Sequence, residues 1–302
     1  MQTDKTFYFM AGLPRSGSTL LSSILNQNPR FYSGPSSPVV PTMLGLENHF
    51  SNDELFLGYP KIDVAKRIIA SILPQYYSDI DKPVIFDKNR SWVNRLNYIP
   101  GYFDIVPKVI CPVRDISEIL TSFITMVRRN PYNNQSKINF IDEQLVKSNI
   151  PLTDDNRCEF IAGQGILGQS YNGLKQAIVE GYDHCLHFVE YKDLVSNPQE
   201  TLNKIYDFLG EDEFEHTFDN LENPHRENDQ QIYGLADMHE VRSKLHSIAP
   251  NPEEVLSERI LNSCKGQEFW RELVIDFDDD DVDDEFDLFS EDNYDEVDII
   301  GS

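Results

Sequence analysis

The sequence predicts an α/β protein: a single P-loop-type domain with a mostly parallel central sheet of about five strands flanked by helices. Two observations carry this expectation. Short β-rich apolar runs alternate with stretches of helical periodicity, the pattern of βα units around a parallel sheet. The first apolar run, TFYFMAG, ends in a glycine loop that leads straight into a helix-forming stretch.

Taken in order, that first strand is followed by SGSTLLSSILNQN, which has helical character and stops before Pro29. RFYSG is the second strand, and IDVAKRIIASIL then spaces its apolar residues as a helix does. PVIFDKN, residues 83–89, is the third strand. KVICPVRD, residues 108–115, is the fourth, apolar enough to lie in the middle of the sheet. The helix after it opens at Asp115 with Glu118 three residues on, which predicts a capping box. CLHFVEY, residues 185–191, is the fifth strand. Asn197 and Pro198 then start a helix that Gly210 closes.

Residues 130–156 have weak periodicity and many turn formers, so an insertion or lid is expected there. The polar stretch 211–240 reads as irregular, and EEVLSERILNSCKGQEFWREL as a last helix. The domain is thus expected to span residues 1–275, with 276–302 as a separate tail. That tail contains no Lys or Arg and holds 14 of the 51 acidic residues, which leaves 37 acidic against 26 basic residues in the body. So acidic a run cannot bury enough apolar surface to fold alone, and a disordered, solubilising tail is expected.

The chain has 302 residues, of which 40% are hydrophobic, enough for a sizeable core. No stretch approaches the roughly 18 apolar residues of a membrane span. The N-terminus has an early acid and an apolar run too short for a secretory signal. The four cysteines show no metal-ligand spacing, and Cys111 and Cys185 fall in predicted strands as small core residues. These features predict a soluble cytoplasmic protein with no membrane association and no metal. A net charge of −25 without a basic stripe argues against a nucleic-acid partner. A small anion in a local cationic pocket remains compatible with it.

The loop AGLPRSGSTLL carries the chemistry. Gly12 and Gly17 have the spacing of a Walker loop, but Ser18 stands where its lysine belongs, and Thr19 follows. The cation has moved into the loop as Arg15. Unpaired N–H groups at a helix start attract an anion. Arg15 adds a planar charged fork, and Ser16, Ser18 and Thr19 add hydroxyl donors. Without the lysine, and with no clear Walker-B carboxylate, a γ-phosphate ligand fits poorly.

PRSGSTLL resembles the 5′-phosphosulfate loop of the P-loop sulfotransferases, which use 3′-phosphoadenosine 5′-phosphosulfate (PAPS). The likeness runs from about residue 6 to residue 273, in the branch containing tyrosylprotein sulfotransferases and bacterial relatives. VRDISEILTS supplies the family's second element, so the resemblance implies that Arg114 and Ser122 bind the 3′-phosphate. IFDKNRSW places Lys88 like the family lysine that stabilises the bridging oxygen and the sulfuryl group. VEYKDLVSNP implies a nucleotide contact for Tyr191. HEVRSKL implies that Ser243 or Lys244 approaches the 3′-phosphate, with Lys265 as a rival. On this likeness Arg15 and Lys88 are the catalytic residues.

The acceptor does not carry over. Cytosolic relatives have His two residues after the lysine, where this chain has Arg90. Tyrosylprotein sulfotransferases have Glu after the second strand, where this chain reads GPSSPVVP, with Pro35 and Ser36 in the acid's place. Asp87, Glu47 and His49 are the substitute bases within reach by sequence. Arg90 and Trp92 either face an anionic or sugar-like acceptor, or Trp92 belongs to the core. The expected activity is therefore metal-independent sulfuryl transfer from PAPS to a hydroxyl or amine of a small-molecule, peptide or sugar acceptor. A nucleotide kinase or other P-loop NTPase, and a non-catalytic nucleotide-binding interaction protein, are the alternatives. Oligomeric state is not legible.

Overall fold

A computed structural model describes residues 5–131, 137–225, 227–245 and 250–273. The expected acidic tail, 276–302, lies outside the described residues. Five parallel strands form one sheet: β1 Thr6–Met10, β2 Phe31–Ser36, β3 Val84–Lys88, β4 Val109–Val113 and β5 Leu186–Glu190, in the order β2-β3-β1-β4-β5. All four pairings are parallel. The α/β class and five-strand parallel sheet read from the sequence are thus observed.

Alternation along the strands explains the two core layers. Phe7, Phe9 and Ala11 face one side with Ile85, Val109 and Cys111. Tyr8 and Met10 face the other with Phe86 and Ile110, against Leu21, Ile24 and Leu25 of the Ser18–Leu25 helix. Ile205, Tyr206 and Leu209 of the Pro198–Leu209 helix cover that second face too. Strands β3 and β4 are buried at every position; β4 (VICPV) is accordingly a continuous apolar run, whereas β3 (VIFDK) ends in the buried Asp87 and Lys88.

Two helix expectations need correction. The Ile116–Arg129 helix starts at Asp115, but the Asp115 side chain makes no cap. Its carboxylate pairs with Arg271 at 2.7 Å, and Glu118 pairs with Arg114 at 2.6 Å, so charge partners from elsewhere outcompete the capping box. The expected last helix is broken into Pro252–Val255, Glu258–Cys264 and a 3-10 turn at Phe269–Arg271. Ser257 caps the middle piece, and Gly266 adopts a left-handed φ of 68°, so the chain restarts twice. Periodicity alone also left unassigned the Val39–Asn52 and Ile166–Val179 helices.

Within residues 130–156, Phe140–Lys147 forms a helix capped by Asn139, with Ile141 and Leu145 buried. Residues 132–136 lie outside the described part. The segment 211–245 holds one short helix, Asp229–Tyr233, among the described residues.

Strand order positions the site. After β1 the chain crosses to β2 on one side, whereas after β4 it proceeds to β5 on the other. The connections leaving neighbouring strands β1 and β4 therefore diverge and open a crevice at their carboxyl ends.

Candidate functional site

The loop after β1 and the start of the helix after β4 flank that crevice. Gly12 lies so close to β4 that a Cβ there would sit 2.1 Å from the Pro112 carbonyl oxygen, and the Leu13 N–H donates to that same oxygen at 2.8 Å. The loop then turns through two left-handed residues, Arg15 (φ 59°) and Gly17 (φ 87°). For Arg15 that backbone is costly and must be held by its surroundings. Its guanidinium Nε donates to Ser122 Oγ at 3.1 Å, and its Nη1 to the Met238 carbonyl. The Arg15 carbonyl in turn accepts from Arg114 Nη1 at 3.3 Å.

Tyr191, at the first turn after β5, joins the two loops. The Arg114 guanidinium stacks on its ring, 4.3 Å from the centroid. The same ring packs against Gly17, where a Cβ would approach it to 2.7 Å. Burial and the neighbouring Arg114 charge push the Arg15 pKa down to about 10. Two desolvated like charges side by side make a receptor that an anion would relieve.

Arg15, Arg114, Ser122 and Tyr191 line one cavity of about 480 Å³, with Gly17, Ser18 and Thr19 at its floor. Arg90, Arg129, Arg242 and Lys244 also face it, as do Asp237, His239 and Glu240. In a chain of net charge −25, this concentrates cations in one place. The volume and donor set fit a nucleotide carrying phosphates at two ends.

Other sequence-derived candidates fall elsewhere. Ser16 is buried, and its hydroxyl donates to the Leu13 carbonyl at 2.6 Å, so it braces the loop. Ser243 is exposed and does not line the cavity; its carbonyl accepts from the Leu221 N–H. Lys265 donates to Asn262 on the Glu258–Cys264 helix and does not line the cavity either.

Lys88 ends β3, is 6% exposed and does not itself line the cavity; its neighbour Arg90 does. Its backbone is fixed on both sides: the Lys88 carbonyl accepts from Ser37 N–H, and Asn89 N–H donates to Met10. Burial lowers its pKa to about 8, an effect the Glu227 charge opposes and the Arg90 charge reinforces.

The three substitute bases expected from sequence need correction. Asp87 is fully buried and accepts from Ser37 Oγ (2.9 Å), Tyr77 OH (2.8 Å) and Trp92 Nε1 (2.6 Å). Burial raises its pKa against those three donors, and it does not line the cavity. Trp92 is likewise core, 0% exposed and edge-on to Phe9. Glu47, on the Val39–Asn52 helix, is held by the hydroxyls of Tyr98 and Tyr102 on the Tyr98–Phe103 helix. His49 is exposed beside Phe50, in a separate surface depression with Phe56 and Tyr59.

Sequence reasoning missed the cluster that does lie here. Glu227, Asp229 and His239 bring one ligand atom each to within 4.8 Å of one another. His239 Nδ1 lies 2.6 Å from Asp229 Oδ1 and 2.9 Å from Glu227 Oε2, so an Nδ1–H shared between two carboxylates accounts for the grouping. No spacing rule links residues 227 and 239 to a strand end, and nothing in their local pattern singles them out.

An open parallel sheet with a cationic cleft at its strand ends defines an α/β protein of the doubly wound, ligand-binding kind. The chain belongs to the sulfotransferase family, whose family model matches residues 8–216. A protein-tyrosine sulfotransferase from Drosophila melanogaster is 24% identical over 213 residues, which is 67% of this chain and 37% of that relative. The chain thus spans well under half the length of this curated relative. The solved sulfotransferase domain of the Synechococcus PCC 7002 olefin synthase is 21% identical, with a TM-score of 0.46 over 71% of this chain and 76% of that one. The sulfotransferase domain from the curacin biosynthetic pathway has 18% identity, a TM-score of 0.45 and the same two coverages. Among the described residues no helix is long and apolar enough to cross a membrane.

Proposed function

We propose that the chain transfers a sulfuryl group from PAPS to a hydroxyl or amine of an acceptor, without a metal ion. The observation that carries this reading is the common cavity of Arg15 and Arg114, within a region that matches the sulfotransferase family. Two anion sites of one crevice suit a nucleotide with phosphates at its 5′ and 3′ positions.

Bound PAPS supplies the sulfuryl group and a bisphosphate leaving group. The residues of the chain do the rest. Arg15 and the N–H groups at the start of the Ser18–Leu25 helix hold the 5′ end, with Ser18 and Thr19 as hydroxyl donors. Arg114, Ser122 and Lys244 hold the 3′-phosphate, and Tyr191 fixes the orientation of Arg114. Ser16 keeps the loop in shape. Lys88 offers a partly desolvated ammonium to charge that grows on the leaving oxygen, which is electrostatic stabilisation in a preorganised site. These side-chain cations occupy the role a metal has in phosphoryl transfer. The acceptor is a small molecule, peptide or sugar. The four buried, unpaired cysteines favour a reducing compartment such as the cytoplasm.

Thermal unfolding with adenosine 3′,5′-bisphosphate, AMP and ATP-Mg tests the reading, because a ligand stabilises the native state in proportion to its affinity. The bisphosphate is expected to give the largest rise in Tm. An equal or larger rise with ATP-Mg would turn the assignment toward a nucleotide kinase.

A further inference from the structure

Beside the cavity lies a charged cluster, Glu227, Asp229 and His239, of which His239 lines the cavity itself. Glu227 reaches across to β2, where its Oε1 accepts from the Ser36 N–H at 3.2 Å, 191 residues away in sequence. Its Oε2 faces His239 Nδ1 at 2.9 Å. Each carboxylate oxygen therefore carries one contact and keeps a lone pair free. Asp229 is committed differently. Its Oδ1 meets His239 Nδ1 at 2.6 Å, and its Oδ2 accepts from the His239 backbone N–H at 2.8 Å. Both of its oxygens are committed to His239, one to the ring and one to the backbone, and the residue is buried.

Glu227 is thus the member of the cluster set beside Lys88: the Ser36 whose N–H it accepts pairs directly with Lys88 across β2 and β3. Its charge acts on Lys88, at the end of β3, and on Arg90, which lines the cavity. The His239 ring, its other neighbour, lines the same cavity. Burial pushes the Glu227 carboxyl up, but the His239 contact, Lys88 and the Ser36 N–H outweigh it and hold the group ionised at neutral pH.

We propose that Glu227 is the general base for the acceptor, with Asp229 and His239 as positioning residues that fix its carboxylate beside Lys88. This rests on the sulfuryl-transfer reading. In the step, the acceptor oxygen forms a bond to sulfur while the bond between sulfur and the oxygen of the 5′-phosphate breaks. The electron pair of that broken bond stays on the phosphate oxygen, which Lys88 faces. The acceptor's proton passes to a Glu227 oxygen and is later released to solvent. No oxidant or further reactant is required.

The test measures formation of adenosine 3′,5′-bisphosphate from PAPS, with water alone and with 2-naphthol as the acceptor, in the full chain. Glu227→Gln is expected to lower turnover about 100-fold or more, in the range that a lost general base costs. Its bisphosphate affinity should stay within about threefold of the parent protein, as a base demands and a mere anchor does not. Glu227→Asp should recover part of the rate. Glu227→Ala should be rescued by added formate in proportion to its concentration, and Glu227→Gln should not. Turnover in Glu227→Gln within threefold of the parent overturns the inference, as does a rate loss matched by an equal loss of bisphosphate affinity. A parent protein that binds no bisphosphate overturns the sulfuryl-transfer reading itself. One that binds it without turning over PAPS removes the base while leaving the nucleotide site standing.

Discussion

On one side of the cleft, Arg15 and Arg114 stand on loops that pack straight onto neighbouring strands. On the other, His239, Arg242 and Lys244 face it from a segment whose described residues form one short helix. The first wall takes its precision from the backbone: the loop after β1 bonds to β4 through Leu13 and Pro112, at a separation that leaves no room for a Cβ on Gly12. The second wall is pinned by isolated polar contacts and a few buried side chains. Ala236 N–H donates to Asn130 Oδ1, Arg15 reaches the Met238 carbonyl, and Leu235 and Met238 dip into the core. One wall is thus an extension of the sheet, and the other is a strap laid over it. The two should fail independently.

The largest effect is expected where both walls meet the chemistry. Lys88→Ala should lower PAPS turnover on the order of 10³-fold, the usual loss on removing one transition-state donor. Its bisphosphate affinity should fall less than about tenfold, since the arginines keep their hold. Calorimetry beside a turnover assay separates the two numbers, and equal losses would make Lys88 a plain binding residue.

Next comes the buried carboxylate next to Lys88 in β3. Asp87→Ala removes the acceptor of three buried donors and should cost about 3 kcal/mol of stability in denaturant unfolding. A change below about 1 kcal/mol would mean that water replaces the carboxylate.

Arg114→Ala tests the sheet-borne wall alone. Affinity for adenosine 3′,5′-bisphosphate should fall about 100-fold, as for lost charge-assisted hydrogen bonds, while affinity for AMP changes less than about fivefold. Loss of both affinities together would mean that Arg114 does not read the 3′-phosphate.

The strap should respond more gently. Asp229→Ala should reduce global stability by only about 1 kcal/mol but open residues 229–245 to hydrogen exchange. Unchanged protection there would show the segment to be held by its apolar contacts instead.

The smallest signal is a proton. Below about pH 8 Lys88 is already charged in the free protein, so binding an anion beside it moves no proton. Above that pH the neutral amine must gain one, because the bound anion raises its pKa. Bisphosphate binding should therefore take up protons between about pH 8 and the ordinary lysine value near 10.5, and weaken as pH rises through that window. Calorimetry in buffers of different ionisation enthalpy reads the uptake directly.

The same division explains what could be read from sequence. The sheet-borne wall is encoded in runs where neighbours in sequence are neighbours in space: a strand, a glycine loop with Arg15, and a strand end with Arg114 eight residues before Ser122. Local spacing suffices there. Glu227 and His239 come together through a connection with no periodicity, and Ser36, which donates its N–H to Glu227, lies 191 residues away along the chain. Asp87 shows the converse. A carboxylate next to a catalytic candidate in sequence points away from it in a strand, because successive side chains alternate between faces. Likewise the capping box expected at Asp115 does not form, because Arg271, far along the chain, claims its carboxylate while Arg114 pairs with Glu118.

Tyr191 has one more consequence. A single ring touches Gly17 of one arginine loop and the guanidinium of the other. The two anion pockets cannot drift apart or together without displacing it, so the gap between them works as a ruler. On the proposed reading, ligands whose phosphates span that gap should be admitted, and dinucleotides or bisphosphates of another reach should be turned away by distance.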